Sequence, residues 1–414
     1  MKFEVRIATL ASVLAISTAA ILHTADLNTN PPAGLTVHEW GTFTSVAGAD
    51  GSAIEWNVLG GKDDLPGFVN DRGYRCISLK VGLRGTVRME TPVLYFYSPQ
   101  PMDARVRVAF PRGLITEWYP QAEHHIDQQS GANGSVHRLG ANLNGLDTSM
   151  TSLTGSIEWK DVKIEPNTSP VLPLEESPSR YYAARATDAA PVAVGSQHEK
   201  FLFYRGVGRV AVPISALLSP DGSIVVSNLG PDPVPMVMRF ENRGGRLGYR
   251  NAGAVSGSIT LNRPSLDDSL PQLQHDLEDA LTAQGLFRKE AQAMVATWQD
   301  SWFEEGSRLI YIVPSRTVDA ILPLQVDPFP SQTSRVFVGR MELITLETKR
   351  AVEDAMVRKD SSVIDRYGRF LEPILERISA ENLGSVSQIE RLRANVKSSF
   401  AESACRSQNV GATH

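Results

Sequence analysis

Between Leu35 and Arg263 the chain is built from short apolar or alternating runs divided by turn residues, and this pattern restricts its fold more than any other feature. Val93 to Tyr97, Ala104 to Phe110, Phe201 to Tyr204 and Met236 to Phe240 are examples. Successive side chains of an extended strand face opposite ways, so the alternation Ala104-Arg105-Val106-Arg107-Val108 presents one apolar face and one charged face. Strands of this length and spacing predict one or two antiparallel β-sandwiches. A polar stretch over 121–151, rich in Gly, Asn, Ser and Gln, is expected to be an exposed insertion, and a second irregular segment runs from Glu165 to Arg180.

The pattern changes near Pro264. Leu273, Leu277 and Leu281 recur at helical spacing after Pro271, and Gly285 suits the stop. Phe287, Ala291, Met294, Val295, Trp298 and Trp302 then form a second apolar stripe. Helices are expected at about 271–284, 287–303, 346–358, 361–379 and 385–400, with strands returning at Arg308–Val313 and Arg335–Val338. The reading is mainly β with an α-helical C-terminal part, an α+β chain: a β-rich domain over 35–263, a mixed α/β region over 264–402, and a polar tail over 403–414.

At the amino terminus Lys2 and Arg6 precede an apolar stretch from Ile7 to Leu22, which reads as a signal peptide or N-terminal anchor over 1–25, followed by a linker over 26–34. Export to the periplasm or the extracellular space is the expectation, with no membrane span beyond that anchor. Cys76 and Cys405 would be free to pair in an oxidising compartment. The formal charge of −5 gives no basic field for a phosphate backbone, so no nucleic acid is expected as a partner.

Catalytic signatures are sparse. His38-Glu39 and His198-Glu199 lack the second histidine four residues after the first that a helical zinc motif needs. Gly206-Val207-Gly208 with Ala211 matches the dinucleotide fingerprint in form only. Pro213 stands where a pyrophosphate-binding helix would have to open, and no nucleotide cofactor is expected. Four of the six tryptophans follow a glutamate: Glu39-Trp40, Glu55-Trp56, Glu117-Trp118 and Glu158-Trp159. On strands each pair splits across the two faces, which suggests a core indole and a solvated carboxylate. The residues suited to acid–base work are His38, Glu39, Glu90 and Glu117. A divalent metal would draw on His38, His124 and His125. Arg88 shares strand parity with Glu90, which predicts an ion pair. Trp40, Arg88, Tyr95, Tyr97, Trp118 and Tyr119 are the candidates for a binding surface.

His38-Glu39-Trp40-Gly41-Thr42-Phe43-Thr44-Ser45, together with Arg88-Met89-Glu90-Thr91-Pro92-Val93, resembles segments of an uncharacterised group of exported bacterial proteins with no known activity. The resemblance implies a location and no chemistry. Two functions follow as expectations. The first is an envelope or extracellular β-sandwich with a binding or structural role toward a glycan, peptide or envelope protein. The second is an envelope hydrolase, with or without a metal, that uses His38 and the glutamates.

Overall fold

The computed structural model describes residues 34–59, 64–72, 83–130, 135–139, 152–381 and 386–406. The expected signal segment and Cys76 lie outside them, as does the side chain of Cys405, so the proposed disulfide has no structural counterpart to report. The strands, in chain order, are β1 (Thr36–Val46), β2 (Trp56–Asn57), β3 (Asn70–Asp71), β4 (Arg84–Gly85), β5 (Val87–Tyr97), β6 (Met102–Pro111), β7 (Gly113–Tyr119), β8 (Glu123–Ser130), β9 (Ser135–Leu139), β10 (Leu153–Ile164), β11 (Val192–Val194) and β12 (Gln197–Glu199). They continue with β13 (Leu202–Gly208), β14 (Ile214–Leu218), β15 (Ile224–Asn228), β16 (Val237–Arg243), β17 (Arg246–Asn251), β18 (Ser258–Leu261), β19 (Gly306–Val313), β20 (Leu324–Asp327) and β21 (Gln332–Leu343). The helices are α1 (Leu270–Ala283), α2 (Arg288–Trp302), α3 (Ser315–Ile321), α4 (Leu346–Arg358), α5 (Ser362–Tyr367), α6 (Leu371–Ala380) and α7 (Val386–Arg406).

The chain is mainly β, with its helices towards the C-terminus. A nine-stranded sheet in the order β17-β16-β19-β21-β1-β5-β13-β7-β3 faces a seven-stranded sheet built on β12-β11-β10-β6-β20, with β8 and β9 added beside β10. Their facing side chains form one core, in which Val37, Phe43, Met89 and Phe96 of the large sheet meet Val106, Phe110, Ile157 and Trp159 of the small one. The opposite face of the large sheet is roofed by helices. Trp40, Tyr95, Phe203, Phe240 and Val338 pack there against Leu273, Leu277 and Leu281 of α1 and Met294, Trp298 and Trp302 of α2. Farther along the same face Val46 joins Trp56, Val58 and Val207 beneath α4 to α7. At about 25 cal/mol per Å² of buried apolar area, these three cores are the main source of stability.

Two expectations change. The large sheet ignores the change of character at Pro264, because β1 lies between β5, antiparallel, and β21, parallel, with Thr36 to Val46 registered against Gln332 to Glu342. A strand buried on both faces needs a neighbour on each edge, and the later part of the chain supplies one. The described part of 121–151 is also no loose insertion: β8 pairs with β10 and β9 with β8. Among the described β8 side chains, those of Glu123 to Gln128, Ile126 alone is deeply buried, so the polar composition hides the strand.

The two motif strands interlock through a bulge. On β5, Thr91 and Pro92 stand opposite Gly41 alone, and the register shifts between Trp40 and Thr42. Thr91 takes φ +46°, a rare conformation for a β-branched residue. A Cβ on Gly41 would lie 2.7 Å from the Phe337 ring and 3.1 Å from Pro92, so the motif glycine is fixed by contact on both sides. A comparable constraint holds at Gly339, where a Cβ would fall 2.0 Å from Tyr311, its registered and fully buried neighbour. Gly339→Ala is therefore expected to lower stability by about 3 kcal/mol through overpacking. Urea unfolding measures it, and an unchanged midpoint would mean that the Tyr311 ring moves aside freely.

Candidate functional site

The singled-out residues fall into four separate settings rather than one cleft. His38 is fully buried on the helix-facing side of β1, and its Nδ1 lies 2.8 Å from Glu290 Oε2. Glu290, the third residue of α2, also accepts hydrogen bonds from the Tyr97 hydroxyl at 2.8 Å and from the Phe287 backbone N–H at 2.7 Å. The Phe287 ring covers the imidazole, with centroids 4.5 Å apart. Burial and the Glu290 carboxylate push the Tyr97 phenol far above its ordinary range, so it stays a donor. The arrangement clamps the start of α2 onto the sheet.

Glu39, one residue along, points to the opposite, inter-sheet face. It accepts from the Tyr204 hydroxyl and from Arg335 Nε at 2.6 Å, while Arg335 Nη1 donates to Asp319 at 2.7 Å. Burial, reinforced by Glu39, raises the Tyr204 pKa well above its ordinary value. His38 and Glu39 are sequence neighbours that never share a site, as strand alternation demands.

The third setting is a charged band across the helix-facing side of the large sheet, between the two helical covers. Thr42 and Thr44 of β1 register with Glu90 and Arg88 of β5, and Thr44 with Arg340 of β21. The expected Arg88–Glu90 pair forms at 3.1 Å. Glu90 Oε1 also lies 2.8 Å from Arg369, which the turn between α5 and α6 carries. Arg340 binds Ser301 at 2.9 Å, Glu304 at 2.5 Å and Glu342 at 3.1 Å, and Arg308 binds Glu342 at 3.0 Å. Arg205 makes a two-pronged contact with Asp64 at 2.8 and 3.1 Å and stands in register with Glu117. Burial alone would raise the Glu90 pKa, but Arg369, Arg88, Arg205 and Arg340 outweigh it and hold the carboxyl below its usual range. Arg369 is pushed down to about 10, chiefly by burial and against the pull of Glu90.

In the fourth setting Trp118 is buried in the inter-sheet core and stacks on His124, with centroids 4.2 Å apart. Burial and the nearby Arg72 lower the His124 pKa to about 4. Tyr119 is buried on the other face, beside Phe68. His38, His124 and His125 do not converge, and among the described residues no three His, Cys, Asp or Glu side chains are placed to hold a metal. Trp40, Tyr95, Trp118 and Tyr119 line no open groove, because all four are core residues. The Glu-Trp pairs are half as expected: every one of these indoles is buried, but Glu39 and Glu117 are buried too, each facing an arginine.

Sequence reasoning missed Glu290, Asp64, Arg205, Glu304 and Arg340. Apart from Glu342, two residues from Arg340, the charged partners lie tens to hundreds of residues away, 252 for Glu290 and His38, where no local spacing could reveal them. The one local signal was Glu290 three residues into a helix beside a charge-poor stripe.

No family model matches the chain, and no curated protein matches it. Among solved structures it is similar to a yeast delta-COP-I mu-homology domain complexed with a Dsl1 WxWxV peptide, at 8% identity and a TM-score of 0.29. The match covers 75% of this chain and 96% of that one.

Glu90→Gln is expected to cost about 3 kcal/mol, because it leaves Arg88 and Arg369 buried without their counter-charge. Chemical denaturation at neutral pH measures the loss, and a change below about 0.5 kcal/mol, typical of surface sites, would disprove a neutralising role. Acid should weaken the fold by two routes. Glu90 has a folded pKa below its unfolded value, so its contribution is complete above about pH 4.3 and is lost as the pH falls through the lower folded value. His124 titrates near 4 when folded against about 6.5 when free, so the unfolded chain takes up more protons between those values and stability falls as the pH drops through that window. An NMR titration of the His124 ring with a midpoint near 6.5 would overturn the second route.

Proposed function

We propose that this is an exported protein of the bacterial envelope or extracellular space with a binding or structural role, not a hydrolase acting through the amino-terminal motif. The observation that carries the reading is the state of the candidate acid–base groups. His38, Glu39, Glu90 and Glu117 are 0, 0, 1 and 7% exposed, and the first three are each held by a fixed protein partner. A general acid or base must come within hydrogen-bond reach of its substrate, and these groups are sealed beneath helices or between sheets. The export half of the reading rests on Lys2, Arg6 and the apolar stretch from Ile7 to Leu22. Among the described residues no helix is long and apolar enough to cross a membrane.

Two measurements test the proposal. Cell fractionation of the full chain with a C-terminal tag should recover it outside the cytoplasm, and recovery from the cytosol would refute export. The purified protein should turn over no member of a glycan, ester and peptide substrate panel, and His38→Ala should lower the unfolding midpoint. Turnover abolished by His38→Ala with an unchanged midpoint would establish the hydrolase instead.

A further inference from the structure

Two cavities meet where β19 passes into α3. The first, of about 300 Å³, is lined by Ile312, Pro314, Arg335 and Val336. The second, of about 380 Å³, is lined by Pro111, Arg112, Val210, Ala211 and Ala320. Both include Asp232 and Arg316, so the two chambers lie end to end across that pair. Pro111, Pro231, Pro233, Pro235 and Pro314 form much of the walls, and their fixed φ angles make the shape rigid before any ligand arrives.

Two of the charged groups are weakly committed. Arg112 makes no ion pair among the described residues, and its backbone is held at φ +57° in the turn from β6 to β7. Arg316 is largely exposed, and among the described residues its one acidic contact is Asp232 at 3.7 Å, too long for a direct hydrogen bond. Arg335, by contrast, is committed: its side chain is 7% exposed and gives Nε to Glu39 and Nη1 to Asp319. Arg112 and Arg316 therefore face Asp232 alone in a channel whose other lining is aliphatic apart from Gln284, Ser315, Thr317 and the ion-paired Arg335.

We infer that this channel binds an extended peptide segment carrying an acidic residue, the carboxylate meeting Arg316 and Arg112. The inference rests on the binding role proposed above and gives it a site. Charge selects the acid. Paired chambers walled by Val, Ile, Ala and Pro suit the alternating side chains of an extended chain. A glycan fits less well, since no aromatic ring lines either chamber to stack on a sugar face.

A positional-scanning library of short acetylated peptides, read by competition in fluorescence anisotropy against the full chain, tests the idea. Binding is expected to concentrate in mixtures with Asp or Glu flanked by small apolar residues. It should weaken about tenfold or more in the Arg112→Glu/Arg316→Glu double variant and in Ala320→Trp, which fills the second chamber. All three positions are exposed, so melting temperatures should match the parent. Equal binding of acidic and basic mixtures, or no binding by any mixture, overturns the inference. Acidic binding that survives both variants overturns the site and leaves the binding role standing, whereas cleavage of the bound peptides removes that role as well.

Discussion

Burial of β1 on both faces and both edges is the constraint from which the rest of the architecture follows. This strand carries His38, Glu39, Thr42 and Thr44 into the dry interior. Removing such groups from water is costly unless each meets a partner, and stranding a buried charge costs about 3–5 kcal/mol. For His38 and Glu39 the partners come from later parts of the chain, Glu290 for the first and Tyr204 and Arg335 for the second, and Arg369 completes the band through Glu90. The Thr42 and Thr44 hydroxyls, by contrast, are buried without a hydrogen-bond partner among the described residues. Each polar contact therefore also fixes where a sheet or helix must sit. Apolar packing supplies the driving force, and the charged band supplies the registration between the two helical covers and the sheet.

The same logic explains why a motif that looks catalytic has become architectural. Histidine, glutamate and tryptophan side by side suggest chemistry when read along a line. On a strand they are divided between two faces, with His38 and Trp40 under the helices and Glu39 between the sheets. Gly41, Thr91 and Pro92 then act as a fitted joint between β1 and β5. Such a joint restricts residue identity as tightly as a reaction would, because a methyl group on Gly41 has nowhere to go.

Much of the fold was legible in the sequence because helical and strand periodicities are local. The spacing of Leu273, Leu277 and Leu281 predicts a helix at 271–284 where α1 spans Leu270–Ala283, and the stripe ending at Trp302 predicts one at 287–303 where α2 spans Arg288–Trp302. The Arg88–Glu90 pair was legible through strand parity alone. Strand β8 was hidden because, among its described side chains, one buried isoleucine leaves no alternation to see. The joining of β1 to β21 was hidden for a different reason, since pairing partners are chosen by three-dimensional burial and leave no mark in nearby residues. Trp40, Tyr95, Trp118 and Tyr119, candidates for a binding surface, lie in the core instead, because composition cannot separate a core indole from a recognition surface.

The parallel pairing of β1 with β21 bears on how such a chain must be made. Thr36 meets Gln332, so the first strand of the folded body waits for about three hundred residues of further chain before its second neighbour exists. Contacts of such long sequence separation form slowly, and unpaired strand edges invite association with other chains. A polypeptide of this design cannot close its central sheet as it emerges from the ribosome. If it crosses a membrane as an extended thread, that delay becomes an advantage, because the chain stays threadable until its last strand has passed.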